Sequence, residues 1–478
     1  MNAEELSKIF NADAASAISP LVAITGGIVL LLVADMFDSL ARFRKAIFLG
    51  TLIVATICEF THLGSGPGTV LANSFTADSA TAMWGFLFIV STALAWSYSQ
   101  TYYTHERRFM AEHDVLMLTS TLGMMMMAGA QDLIVFFVGL ELLSVPLYAL
   151  AGFRRTRDDS VEAGLKYFVL GAFASALFLY GAALLYAGTG EVSFAGFKEV
   201  AATSPLALAG IGLITASVLF KIAAFPFHMW VPDVYQGSAT PVTTFMATST
   251  KAAAFAFLLN AAFLLPESAA RLISVVAVLT MVVGNLAALM QTNLKRMLAY
   301  SSIAHGGTML LAIAGQLAGD PEPDGALHAV LFYMAAYVFT TGGAFGIISM
   351  LEADGERFTE LKSLKGLAKR RPGVAAAMLI FMLSLGGIPF TAGFLGKWFV
   401  FSVAIRAGLV IPAIIGIVTS VVALGYYLRV IITIYMEDAP SSQAAPTARP
   451  LSVMVPAGIC AVMVLVLGVL PGWFLKLL

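Results

Sequence analysis

Charge and cysteine are both scarce in this chain, and each shortage excludes chemistry. Only 12% of the 478 residues are Asp, Glu, Lys or Arg, about half the share usual in a soluble domain. A formal net charge of −1 offers no basic surface for nucleic acid. Cys58 and Cys460 are the only two cysteines. They lie in separate apolar runs, too few for the thiolates of an iron–sulfur cluster and no basis for a disulfide scaffold. No G-x-G-x-x-G follows a strand pattern, so no dinucleotide site is visible. The first residues, "MNAEELSKIF", carry acid where a signal peptide carries base, so the first apolar run reads as a retained span.

What is abundant is hydrophobic sequence, 59% of the chain. A membrane-crossing helix needs roughly 20 apolar residues, and about fourteen such runs are present. They fall near 17–37, 45–63, 79–99, 112–130, 132–151, 160–188, 204–230, 237–264, 271–291, 296–317, 325–351, 373–401, 408–436 and 451–474. The expected fold is therefore an all-α polytopic membrane protein. A turn-rich insert, "GSGPGTVLANSFTADS", separates the second and third runs, and "EADGERFTELKSLKGLAKRRP" reads as a surface helix. Most of the 27 Lys and Arg fall in odd-numbered loops, among them Arg42, Arg44, Lys45, Arg107, Arg108, Arg154, Arg357 and Arg449. Lys8, Lys198, Arg271 and Arg406 are among the few elsewhere. The positive-inside rule then puts odd loops in the cytoplasm and both termini outside.

"AAFPFHMW" at 223–230 has an echo in "GGIPFTAGF" at 386–394. Each puts an apolar–Pro–Phe triplet mid-span and has a lysine nearby, Lys221 before the first and Lys397 after the second. Pro226 and Pro389 lack the N–H a helix interior needs, so both spans are expected to be discontinuous, with Gly386 and Gly387 loosening the second. The echoes lie in the seventh and twelfth spans. That odd separation makes two inverted repeats, and broken helices at matching places in inverted repeats mark transport sites. The expected division is 1–111 for the first three spans, 112–264 and 265–436 for the two repeats, and 437–478 for the last span.

Glu141, Lys221, Lys251 and Lys397 stand at mid-span, where a charge costs about 2.5–3.5 kcal/mol or more. One reading is a set of static ion pairs that hold the helices together. The other is a proton path. A lysine in water holds its proton up to a pH of about 10.4; burial weakens that hold by as much as ~3–5 units, and a close carboxylate restores it. Lys221 with Glu141 would then act as a switch. Moving a proton against ~150 mV costs roughly 3.5 kcal/mol, within reach of a swing of about three units at ~1.4 kcal/mol each. Thr240, Thr244 and Thr248 lead at helical spacing to Lys251 and either line a water path or bond their own helix. His228 and His305 are either relays or fixed core imidazoles. Lys295 is a further relay candidate, although its place beside Arg296 at a span edge suits an anchor. Arg429 reads as a snorkelling side chain, Asp233 as a cap or surface pair, and "GMMMMAG" as packing rather than a metal site.

The ordered segments "GLELLSVPLYAL", "FKIAAFPFHMWVPDVYQGSATPV", "QTNLKRMLAYSSIAHGG" and "GGIPFTAGFLGKWFVF" together resemble the antiporter-like membrane subunits of respiratory complex I, over almost the whole chain. The chain has no room for the long lateral helix of subunit L, and has Lys397 where subunit M carries glutamate. The resemblance implies fourteen helices with two inverted five-helix repeats, and a proton channel along Glu141, Lys221, Lys251 and Lys397. It implies no cofactor in this chain, with NADH, FMN, iron–sulfur clusters and quinone in partner subunits. It implies contacts with subunits M and K, and with A and J, in a bacterial inner membrane. A subunit of a multi-subunit cation/proton antiporter, on a similar scaffold, is the alternative.

Overall fold

The computed structural model describes residues 11–66, 68–103, 110–200, 204–322, 324–353, 359–439 and 451–476. Lys8, Arg107, Arg108, Arg357 and Arg449 lie outside the described residues, and the side chain of Lys198 is not described. The main helices, in chain order, are α1 Ser19–Asp35, α2 Arg44–Phe60, α3 Ser79–Tyr102, α4 Met110–Gly129, α5 Leu133–Ala151, α6 Asp158–Thr189, α7 Pro205–Ile222 and α8 Trp230–Gly237. They continue as α9 Thr240–Ala261, α10 Ala269–Leu289, α11 Leu294–Leu317, α12 Gly325–Ala353, α13 Pro372–Gly386, α14 Ala392–Arg406, α15 Val410–Tyr435 and α16 Leu451–Val469. Among the described residues, 10 helices are long and apolar enough to cross a membrane, and α1 and α13 are shorter apolar ones. Each expected span is helical, and the two expected to be discontinuous are split, into α7 with α8 and into α13 with α14.

Local sequence sets many of the helix starts. Asp78, Asp132 and Asn293 each accept a hydrogen bond from the backbone N–H three residues on, at 2.8, 2.7 and 3.1 Å, which satisfies a donor the first turn leaves open. The insert between α2 and α3 folds into a small antiparallel hairpin, β1 Thr69–Val70 with β2 Phe75–Thr76. The surface helix expected after α12 does not form over the described residues. Two single turns stand there, Leu361–Leu364 and Leu367–Arg370. Gly366 at φ 65° divides them, and Leu361, Leu364 and Leu367 are drawn into the core.

The helices sort into layers by what covers them. α9, α11 and α12 are almost wholly enclosed, whereas two-thirds of the most apolar stretch of α6, α15 and α16 faces outward. The outward side chains include Leu165, Phe173, Val421 and Val462, an apolar face that suits lipid. The enclosed layer carries the polar residues of interest. Where helices must approach closely, small residues let them. A Cβ on Gly123 of α4 would lie 2.3 Å from the Leu143 nitrogen and 2.5 Å from the Gly139 carbonyl oxygen of α5. Met124, Met125 and Met127 on the same stretch are buried as packing.

Candidate functional site

The two helix breaks are built alike. α7 ends at Ile222 with Ala223 left-handed at φ 65°, closed by Ala224 N–H to Leu219 (2.9 Å) and Ala223 N–H to Phe220 (3.0 Å). α13 ends at Gly386 with Gly387 at φ 81°, closed by Ile388 N–H to Leu383 (3.0 Å) and Gly387 N–H to Ser384 (2.9 Å). Both are the left-handed helix stop that satisfies the last carbonyls. The sequence echo aligns the two prolines, but these caps align Ala223 with Gly387, so the spacing from cap to proline differs by one residue. Pro226 and Pro389 follow the stops in the connections, both exposed.

The two lysines reach their breaks from opposite directions. Lys221 stands in the last turn of α7 and is buried. Its Nζ donates to Ser144 Oγ at 2.7 Å and Tyr148 OH at 3.3 Å, both on α5. The Ser144 hydroxyl spends its own proton on the Leu140 carbonyl, 2.5 Å away, and so meets the ammonium with its lone pairs. Lys397 stands on α14, after its break, and donates back to the carbonyls of Leu385 (3.0 Å) and Gly386 (3.2 Å). There it caps the negative end of the α13 dipole. Beside it a cavity of about 360 Å³, lined by Gly387, Trp398, Phe401, Ser420 and Leu424, opens toward the outward face.

Lys251 lies between the two. A single π-turn, Met246–Thr250, precedes it within α9, a widening often found where helices serve function. Its Nζ donates to the Ser302 carbonyl of α11. A methyl on Gly306 would sit 3.2 Å from the Ile222 carbonyl oxygen and 3.6 Å from Lys251 Nζ, so Lys251 abuts the first break. One residue before Gly306, His305 is held by two tyrosines, Nδ1 to Tyr333 OH at 2.7 Å and Nε2 to Tyr427 OH at 3.0 Å. Tyr427 OH also meets Ser301 Oγ at 2.5 Å. These tyrosines border the second break: a Cβ on Gly396, next to Lys397, would meet the Tyr333 ring at 2.9 Å, and one on Gly386 the Tyr427 ring at 3.7 Å. Lys221 and Lys251 therefore border the first break, and His305 with Lys397 the second, an interior line of buried groups linked through Gly306 and His305 on α11.

Other expectations meet different outcomes. Glu141 forms no ion pair with Lys221; its Oε1 is buried and unbonded, and Ser144, one turn further on, takes the ammonium instead. Thr244 and Thr248 bond the carbonyls of their own helix, at 2.9 and 2.8 Å, while Thr240 reaches across to Glu352. Lys295 is no surface anchor: it is buried, donates to the Ser238 carbonyl at 2.7 Å, and lies 3.5 Å from Glu352. Arg296 pairs with Asp233 at 2.7 Å and Lys166 with the same carboxylate at 2.8 Å. Arg429 caps α10, on the carbonyls of Leu289 (3.0 Å) and Gln291 (2.5 Å). His228 is half-buried past the first break, stacked on Phe225, and none of its contacts joins the lysine line.

Several partners escaped the sequence. Glu352 looked like the start of a charged loop. Tyr333 and Tyr427 carry no signal of their own. Ser144 and Tyr148 did have one, since with Glu141 they follow i, i+3, i+7 spacing on one face of α5.

Gly387 tests the packing directly. A Cβ there would come within 3.0 Å of Lys397 Cδ and 3.2 Å of its Nζ, at a left-handed φ that costs about 1–2 kcal/mol for any other residue. Gly387→Ala is expected to push the Lys397 ammonium off the Leu385 and Gly386 carbonyls, seen directly in a structure of the variant; the φ cost alone would lower stability without moving the lysine.

The family described as NADH:quinone oxidoreductase/Mrp antiporter, TM, matches residues 130–423, a stretch that holds the whole line. NADH-quinone oxidoreductase subunit N of Salinibacter ruber is 40% identical over 95% of this chain and 93% of its own. The protein of the same name from Myxococcus xanthus is 38% identical over 95% and 94%. A chain of respiratory complex I from Thermus thermophilus with bound aureothin shares 36% identity, covers 96% of this chain and 98% of its own, and superposes with a TM-score of 0.81. A chain of the Mrp complex from Dietzia sp. reaches 0.86 at 23% identity, over 98% and 96%, a likeness of fold.

Proposed function

This chain belongs to the NADH:quinone oxidoreductase/Mrp antiporter membrane family, and from that premise we propose that its buried lysine line is the route by which protons cross. The chain is a proton-translocating membrane subunit of an NADH:quinone oxidoreductase, similar to subunit N. The antiporter reading rests on the Mrp likeness, which at 23% identity carries fold alone, whereas the relatives named subunit N align end to end.

One observation carries the assignment of the route. Among the described residues, Lys221, Lys251 and Lys397 are buried yet none has a carboxylate partner; all three rest on neutral hydroxyl or carbonyl oxygens. A static pair would need an acid beside each base, because an uncompensated buried charge is costly. An amine on neutral oxygens exchanges its proton without breaking an ion pair. Glu141, one turn before Ser144 on α5, is assigned as the acid of the first half of the route. His305 between two phenols is the relay from Lys251 to Lys397, and an imidazole can accept at one nitrogen while it donates from the other. Lys295 with Glu352 and Thr240 forms a buried polar group at the near end of α9 and feeds the path from that side. His228 stands apart from this route.

The repeats 112–264 and 265–436 each contribute one broken helix to it. The flavin, iron–sulfur and quinone chemistry is placed in partner subunits, and this chain supplies proton groups only. Its neighbours in the membrane are assigned as subunits M and K, with A and J, within a bacterial inner membrane and with both termini on the periplasmic side.

The test is the assembled complex in liposomes, with NADH oxidation and proton uptake followed together. His305→Phe keeps an aromatic ring and removes both ring nitrogens. The expected result is fewer protons per NADH with assembly intact; an unchanged ratio would remove His305 from the route.

A further inference from the structure

A second buried acid–base pair lies away from the lysine line, in the first three helices. Glu59, near the end of α2, and His62, one turn later, are both more than nine-tenths buried. Glu59 forms no ion pair among the described residues. The Gly85 position on α3 is what makes room for it: a Cβ there would lie 2.1 Å from Glu59 Oε1. The ring Nε2 of His62 is buried with no partner among the described residues. Both side chains line one enclosed space of about 10 Å³, together with Leu21, Phe75, Thr81 and Met125. That is close to the room a single water needs, about 10–15 Å³, and a water there needs polar partners on two sides.

Among the described residues no other charged side chain lines this space, whether from the helix at 12–17, α1, the β1–β2 hairpin, α3 or α4. Asp78, the nearest acid along α3, is spent on capping: its Oδ1 accepts from the Thr81 N–H and hydroxyl, each at 2.8 Å. The hairpin insert closes the space from outside through Phe75 and Ala77. A bare carboxylate and an unbonded imidazole nitrogen are each costly when buried. One water and one proton between them satisfy both.

We propose that Glu59 and His62 form a proton-binding site, in which one proton is shared between carboxyl and imidazole through a single enclosed water under the β1–β2 hairpin. The proton rests on the carboxyl, so the pair is neutral overall, as carboxylic acid with neutral imidazole. This explains why an acid tolerates a site with no cation beside it among the described residues. The site is separate from the lysine line, so its failure would leave the pumping route standing.

Infrared difference spectroscopy on H/D exchange of the whole complex in membranes tests this. Glu59→Gln is expected to remove one protonated-carboxyl carbonyl band, and His62→Phe to shift that band in frequency. A wild-type spectrum with no such band to lose, or a band that His62→Phe leaves in place, overturns the proposal. A high-resolution map of the wild-type complex gives a check that needs no variant. Density for a water within hydrogen-bonding distance of both Glu59 and His62 Nε2 supports the site, and an empty space refutes it.

Discussion

With methionine in place of Lys221, NADH-driven proton translocation falls to background while the complex remains assembled. The expected result follows from the partners of the ammonium. Ser144 and Tyr148 are neutral, and Ser144 keeps its bond to the Leu140 carbonyl when the lysine is gone. No ion pair is broken, so the penalty of about 3–5 kcal/mol for stripping one partner from a buried pair does not arise. Methionine keeps the unbranched stem and its packing but has nothing to protonate. A path that must lift protons against ~150 mV, roughly 3.5 kcal/mol each, loses its first carrier. Blue-native gels and pumping assays on the same vesicles read both quantities. Loss of assembly at normal pumping per complex would mean that Lys221 is a structural residue.

Gly123→Val has the opposite signature, since assembly itself is lost. The α4 and α5 backbones meet there, so a side chain at 123 presses on the Leu143 nitrogen and the Gly139 carbonyl rather than on a movable side chain. Overpacking costs about 1–3 kcal/mol where neighbours can yield, and occasionally more. Backbone cannot yield without shifting α5, which also carries Glu141 and Ser144. We expect at least ~3 kcal/mol of destabilisation and little subunit in the membrane, read by thermal unfolding in detergent and by immunoblot. Gly123→Ala adds less volume and is expected to fall between. Normal levels of the valine variant would mean that the two helices can separate freely.

Much of the architecture was legible because lipid imposes a simple rule. A chain that cannot hydrogen-bond to its solvent must form helices of a set length, and the apolar runs locate them. The breaks were legible for a related reason: a proline and paired glycines at mid-span have few other meanings. The loop after α12 was not legible, because the charge of "EADGERF" conceals that Leu361, Leu364 and Leu367 are buried and that Gly366 divides the two turns. The same charged run hid Glu352, which belongs to the end of α12 and is buried. Lys295, a relay candidate, also suits an anchor by its place at a span edge, but the ends of α9 and α12 cover that edge.

By itself the sequence determined the membrane class, the helix positions, the two breaks and the lysines beside them. Those depend on composition and on spacing along one helix, which one dimension records. The tertiary structure alone decided what each lysine touches. It gave Lys221 to Ser144 and not to Glu141, gave Lys397 to carbonyls before its own helix, and put His305 between Tyr333 and Tyr427. These contacts join residues far apart in the chain, and they depend on how helices rotate and how closely they pack, which periodicity along any one helix leaves open.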